Sequence, residues 1–121
     1  MLTIEEKTKA VVDALEDIKA DDIVVVDTSK LSPLFDRMII ASAKSTRQTK
    51  AIADNVVVKL KEQGEQVFGR EGGDSGEWIL VDLGEVLVHI MQPAVRAYYN
   101  LEELWTKGQD FRPKLAAKKP E

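Results

Sequence analysis

At 121 residues with a formal net charge of −4 and no cysteine, the chain is sized for one domain. Without cysteine there is no disulfide, no thiolate nucleophile and no cysteine-ligated zinc. The acid excess argues against a grip on naked RNA or DNA by phosphate neutralisation and favours a protein partner.

Thr3-Ile4-Glu5-Glu6 has capping-box spacing. Ile4, Val11, Leu15 and Ile18, with Thr8 and Ala14 between them, then recur at near-helical intervals and predict a helix over 4–19. Asp21-Asp22 ends it, and Ile23 to Asp27 reads as a short buried strand. Thr28 to Pro33 is loop, and Phe35 to Ser42 is a second, largely buried strand. Ser45 and Gln48 form another capping-box pattern. Ile52, Val56 and Leu60 carry the helix that follows to about Gln63, where Gly64 stops it. Gln66-Val67-Phe68 reads as a weak third strand. Arg70 to Gly76 is glycine-rich but lacks the Lys and Ser/Thr of a phosphate-binding loop, so it is expected to be a plain turn-rich loop.

Glu77 to Met91 reads as a hairpin turning on Leu83-Gly84. A two-residue loop there sets Asp82 opposite Glu85, Val81 opposite Val86, Leu80 opposite Leu87, Ile79 opposite Val88 and Trp78 opposite His89. Ile79, Val81, Val86, Val88 and Ile90 then share one β-branched face suited to packing under helices. Trp78, Leu80, Leu87, His89 and Met91 share the other, with Asp82 and Glu85 at the turn. This second face is apolar but carries polar handles, and something must cover it. Pro93 suits a first helical turn, packed by Val95, Tyr98 and Tyr99. Asn100 to Trp105 can restart a short helix. The order α-β-β-α-β-β-β-α predicts a two-layer α/β sandwich with a mixed five-stranded sheet. Residues 1–107 form the domain, and 108–121, with Lys114, Lys118 and Lys119, read as a disordered basic tail.

Convergent catalytic groups are not evident. His89 is the one histidine, the serines occupy no nucleophile elbow, and Asp27, Asp36, Asp82 and Glu85 are scattered over strand ends and a turn. No catalytic residue, metal or cofactor is expected. Arg47, in a first helical turn where the macrodipole disfavours a cation, serves a partner or a structural carboxylate if it is more than an exposed side chain. Trp78 is either core or an interface anchor, and the alternation favours the anchor. No apolar run is long enough to span a membrane, and Met1-Leu2-Thr3 leads into a charged segment unlike a signal peptide. The expected address is cytoplasmic.

Three blocks in order, FDRMIIASAKSTRQTKAIAD, GEWILVDLGEVLVHIM and RAYYNLEELW, resemble the Iojap-like ribosomal silencing factor family over roughly residues 4–106. The departures are modest: Arg37 where an aromatic or apolar residue is common, Ala43 for the usual Gly, and Glu85 for the usual Asp. The resemblance implies a nucleotidyltransferase-like topology without the catalytic carboxylates. It implies binding to the large ribosomal subunit through ribosomal protein L fourteen, which blocks joining with the small subunit and represses translation when nutrients are short. It also implies a homodimer when free, and the start at Met1 without an Arg-rich leader resembles the bacterial members. On this reading Trp78 and Leu80 are the apolar centre of the contact, Asp82 and Glu85 its acidic rim, His89 a contributor beside Trp78, and Arg47 a further partner-binding candidate. The rivals are a nucleotidyltransferase-like enzyme and a purely dimeric module.

Overall fold

A computed structural model describes residues 2–72 and 75–99. The expected helix restart at 100–105, the basic tail at 108–121 and the side chain of Tyr99 lie outside the described residues. Helix α1 (Ile4–Asp17) opens with a complete capping box. Thr3 Oγ1 accepts from the Glu6 N–H at 3.1 Å, and the Thr3 N–H donates to Glu6 Oε1 at 2.9 Å. Helix α2 (Thr46–Glu62) keeps only half of its box. Ser45 Oγ accepts from the Gln48 N–H, while the Gln48 side chain accepts from the Lys44 N–H and not from Ser45. Strands β1 (Asp21–Asp27), β2 (Arg37–Ser42), β3 (Gly69–Glu71), β4 (Trp78–Asp82) and β5 (Val86–Met91), followed by α3 (Pro93–Tyr99), complete the expected α-β-β-α-β-β-β-α order.

The five strands form one mixed sheet in the order β1-β2-β5-β4-β3. The central β2–β5 pair is parallel, and the other three pairings are antiparallel. Helices α1 and α2 cover one face. Ile39, Ala41, Ile79, Val81, Leu83, Val86, Val88 and Ile90 meet Val11, Leu15, Ile52, Val56 and Leu60 there, with almost no exposure. The face read from the alternation is therefore the main core. Burying a Val or Ile side chain in this way stabilises by about 1.5–3 kcal/mol each before the entropy of ordering is set against it.

The hairpin pairs in a different register from the expected one. Trp78 lies opposite Met91, Ile79 opposite Ile90, Leu80 opposite His89, Val81 opposite Val88 and Asp82 opposite Leu87. The two-residue loop is Gly84-Glu85, closed by the Leu83 N–H donating to the Val86 carbonyl. Two causes move it. Leu83 is drawn fully into the core under the helices and cannot serve as a loop residue. Gly84 takes φ +87°, as the first position of a hairpin turn of this kind requires, and Asp82 Oδ1 accepts its N–H at 2.8 Å. Each residue's partner shifts by two, so both faces keep their membership.

Three further expectations change. β1 is an edge strand, and of its residues only Val26 is buried, while Val25 is 44% exposed. Gln66-Val67-Phe68 is not a strand. β3 begins at Gly69, Val67 packs against the core, and Phe68 turns outward to lie against Gly84. Tyr98 is 69% exposed, and Val95 of α3 packs against the buried cluster on the sheet.

Candidate partner-binding face

The second sheet face is built of registered rows. Val26, Met38, Leu87, Asp82 and Gly69 form one row across the strands. Val24, Ile40, His89, Leu80 and Glu71 form the next, and Ser42, Met91 and Trp78 the last. Its β1/β2 side is closed, together with Met91 of β5. Val26, Phe35, Met38, Ile40 and Met91 form a buried cluster, with Phe35 supplied by the β1–β2 loop and Val95 of α3 packed against it. Its β4/β5 half is more open, with Trp78, Leu80, Asp82 and Leu87 half-buried. A graded apolar surface of this kind, with an acidic residue at one end, suits a partner that brings apolar groups and a basic fringe.

Trp78 and His89 form a pair within that face. They stand diagonally, and the Trp78 Nε1–H donates to His89 Nδ1 at 2.9 Å. The rings are tilted by 47° with centroids 5.8 Å apart. His89 is 6% exposed, and burial pushes its pKa down from 6.5 to about 4. It is therefore neutral at physiological pH, and its acceptance on Nδ1 puts its proton on Nε2.

The remaining candidates stand apart. Glu85 extends toward the helical layer, where Lys7 Nζ reaches its Oε1 at 3.2 Å. Lys7 is 6% exposed, and its Nζ also meets Glu65 Oε1 at 2.9 Å and the Leu83 carbonyl at 3.5 Å. Burial alone would lower the Lys7 pKa, but hydrogen bonds to Glu65 and Glu85 raise it. The Leu2 N–H and then Lys7 hold the Glu65 carboxyl below its ordinary value. Sequence reasoning missed this cluster. Lys7 sits on the buried stripe of α1, between Ile4 and Val11, and that spacing was the available signal. Arg47 is exposed at the start of α2, and no carboxylate among the described residues pairs with it. Its neighbours Thr46 and Thr49 donate to the Ser75 and Gly76 carbonyls, which places it at the Trp78 end of the hairpin. Arg47 and Glu85 thus lie at opposite ends of β4, roughly 15 Å apart along the strand.

Apart from Glu65 and Glu85, which share Lys7, the carboxylates of the described residues do not converge. Asp27 accepts from Ser29 and pairs with Arg37. Asp54 pairs with Arg70, and Asp82 caps the turn. Among the described residues no cluster of His, Asp and Glu could hold a metal ion, and no helix is long and apolar enough to cross a membrane.

Comparison with known proteins agrees with this arrangement. The family model described as "Ribosomal silencing factor during starvation" matches residues 2–121. The ribosomal silencing factor of Chromobacterium violaceum is 54% identical over 119 residues, covering 98% of this chain and 97% of that protein. A crystal structure of a protein from the same organism superposes with a TM-score of 0.85 at 52% identity, covering 99% of this chain and 92% of that one. The mouse protein named "Mitochondrial assembly of ribosomal large subunit protein 1" is 34% identical over 98 residues, covering 78% of this chain and 43% of that protein. With the three sequence blocks, the mixed five-stranded sheet and matches along nearly its whole length, the chain belongs to the ribosomal silencing factor family.

Proposed function

We propose that this chain binds the large ribosomal subunit through ribosomal protein L fourteen, using the β4/β5 half of the second sheet face, and so keeps the small subunit from joining. It acts as a translational repressor under nutrient limitation in the bacterial cytoplasm, by occupying a surface and not by catalysis. One observation carries the reading most directly. The sheet already has a complete core on its helical face, yet Trp78, Leu80 and Leu87 leave a second apolar surface half-open, with Asp82 at its end. A family named for ribosome silencing during starvation, and a mouse relative named for the large subunit, support the choice of partner. Trp78 and Leu80 are the centre of the contact, and Asp82 meets basic residues at its rim. Glu85 can add charge beyond the turn, and Arg47 at the far end.

The test is co-sedimentation of the chain with purified large subunits on a gradient. The expected result is that the parent travels with the subunit and prevents joining when small subunits are added, while Trp78→Ala remains at the top. A parent chain that stays at the top removes the reading. Stoichiometric heat on titration with nucleoside triphosphate and magnesium would favour an enzyme on this sheet. A tight homodimer indifferent to subunits would favour a dimeric module.

A further inference from the structure

We propose that His89 is a positioning residue for the Trp78 face. It engages the indole N–H from inside the sheet, so Trp78 presents only hydrocarbon to a partner surface that holds no hydrogen-bond acceptor for it. This rests on the reading of that face as the ribosomal contact and specifies the chemistry of the partner at its centre.

Three observations carry it. The Trp78 Nε1–H donates to His89 Nδ1 at 2.9 Å, a normal hydrogen-bond length. His89 is held between Ile40 on β2 and Leu80 on β4 in the same row, so its ring position is set by the sheet and not by the partner. It is buried, whereas Trp78, Leu80 and Leu87 beside it are half-buried. A partner can therefore reach the indole ring more readily than the imidazole behind it. No charged side chain among the described residues hydrogen-bonds to His89, and burial keeps the imidazole neutral at physiological pH.

The consequence concerns desolvation. A tryptophan at an interface centre usually needs an acceptor for its N–H, from the partner or from water. Here that need is met before binding. The complementary surface is then a protein one made of apolar side chains and the aliphatic stems of lysine or arginine, whose charged ends can reach Asp82. A groove of RNA phosphates or bare backbone carbonyls would offer acceptors with no donor to receive.

The experiment compares the parent, His89→Phe and His89→Asn, with purified large subunits as the probe. Asn is the conservative variant because its Oδ1 stands near the position of Nδ1. The first measurement is the indole N–H resonance of Trp78, assigned with Trp78→Phe, and its exchange with solvent. The second is affinity for the subunit. In His89→Phe the indole N–H has water as a partner in the free protein and nothing in the complex. It is expected to exchange faster, and binding to weaken by about tenfold, as an unsatisfied buried donor implies. His89→Asn should restore slow exchange and part of the affinity. If His89→Phe exchanges fast yet binds as tightly as the parent, the partner supplies an acceptor, as RNA phosphate would, and the proposal falls. Unchanged exchange in His89→Phe also overturns it. Should His89→Phe fail to fold, His89→Asn carries the test, and loss of slow exchange and of binding there counts against it. A parent chain that does not bind subunits removes the function reading, while the exchange measurement still decides whether His89 holds the indole.

Discussion

The two faces of the sheet draw on the same strands and reach opposite ends. Under α1 and α2, Ile79, Val81, Val88 and Ile90 are fully buried in one apolar cluster. One residue along each strand, Trp78, Leu80 and Leu87 remain half-open beside a histidine and an aspartate. Apolar content alone does not separate a core from a binding face. What separates them is whether the chain supplies its own cover. Two long helices cover one face, while among the described residues Phe35 and Val95 pack on the cluster at the β1/β2 side of the other.

The sharpest way to break that contrast is Trp78→Ala. A desolvated tryptophan at an interface centre is worth about 2–4 kcal/mol to binding. The variant is expected to lose subunit binding by roughly 30- to 1000-fold and still melt cooperatively. Thermal melting and co-sedimentation on one preparation check both halves, and an unfolded Trp78→Ala would place Trp78 in the core.

Lys7→Met should show the reverse pattern. It leaves Glu65 buried without its cation and frees the hairpin tip from α1. A loss on the order of 3 kcal/mol of fold stability is expected, readable by denaturant titration, with binding kept in the folded fraction. A variant as stable as the parent would mean that solvent already screens the Lys7–Glu65 pair.

Next in size is a pH effect from His89, whose folded pKa is lowered from 6.5 to about 4. Both states are neutral at this residue above pH 6.5. As pH falls from there, the unfolded chain takes up a proton that the folded chain refuses until about pH 4. The unfolded state then binds more protons, so stability declines with falling pH across that window, by roughly 2–3 kcal/mol in total. The decline should be absent from the pH–stability curve of His89→Phe. An equal slope in the two chains would assign it to carboxylates.

The smallest expected effects come from neighbours on one strand. Val88→Ala, beneath the helices, should cost about 1–2 kcal/mol of stability and spare binding. Leu87→Ala, facing the other way, should weaken binding more than it lowers the melting temperature. If the two behave alike, the faces are not functionally distinct.

Much of this arrangement was legible in the sequence because alternation and capping are local. Thr3 with Glu6 announced α1, and the period of two sorted the hairpin side chains onto their correct faces. The same period is blind to a slip of two, so it could not tell a Leu83-Gly84 loop from Gly84-Glu85. The burial of Leu83 under α1 and α2 decided that, and it is a tertiary fact. Ile23 to Asp27 looked like a buried strand because an apolar run does not say how many neighbours it will have, and β1 has one. Lys7 drew no reading from the sequence because its two carboxylates, Glu65 and Glu85, are remote in the chain. On the second sheet face, Trp78, Leu80 and Asp82 lie together as the alternation predicts. Glu85 was grouped with them by the assumed register and Arg47 by residue type, although the fold turns Glu85 to Lys7 and holds the two at opposite ends of β4.

The central parallel pair has a consequence for how the molecule assembles. Arg37 pairs in register with Val86, with all of α2, β3 and β4 lying between them in the chain. Closing that span loses far more chain entropy than zipping a hairpin around Gly84. The β4–β5 ribbon, with the Trp78–His89 pair on one side, is therefore expected to form early, and the β2–β5 seam late. The proposed docking surface would exist as a local unit before the sheet that supports it is complete. Substitutions in the seam, at Ile39 or Ala41, would then slow folding without altering what the finished face recognises.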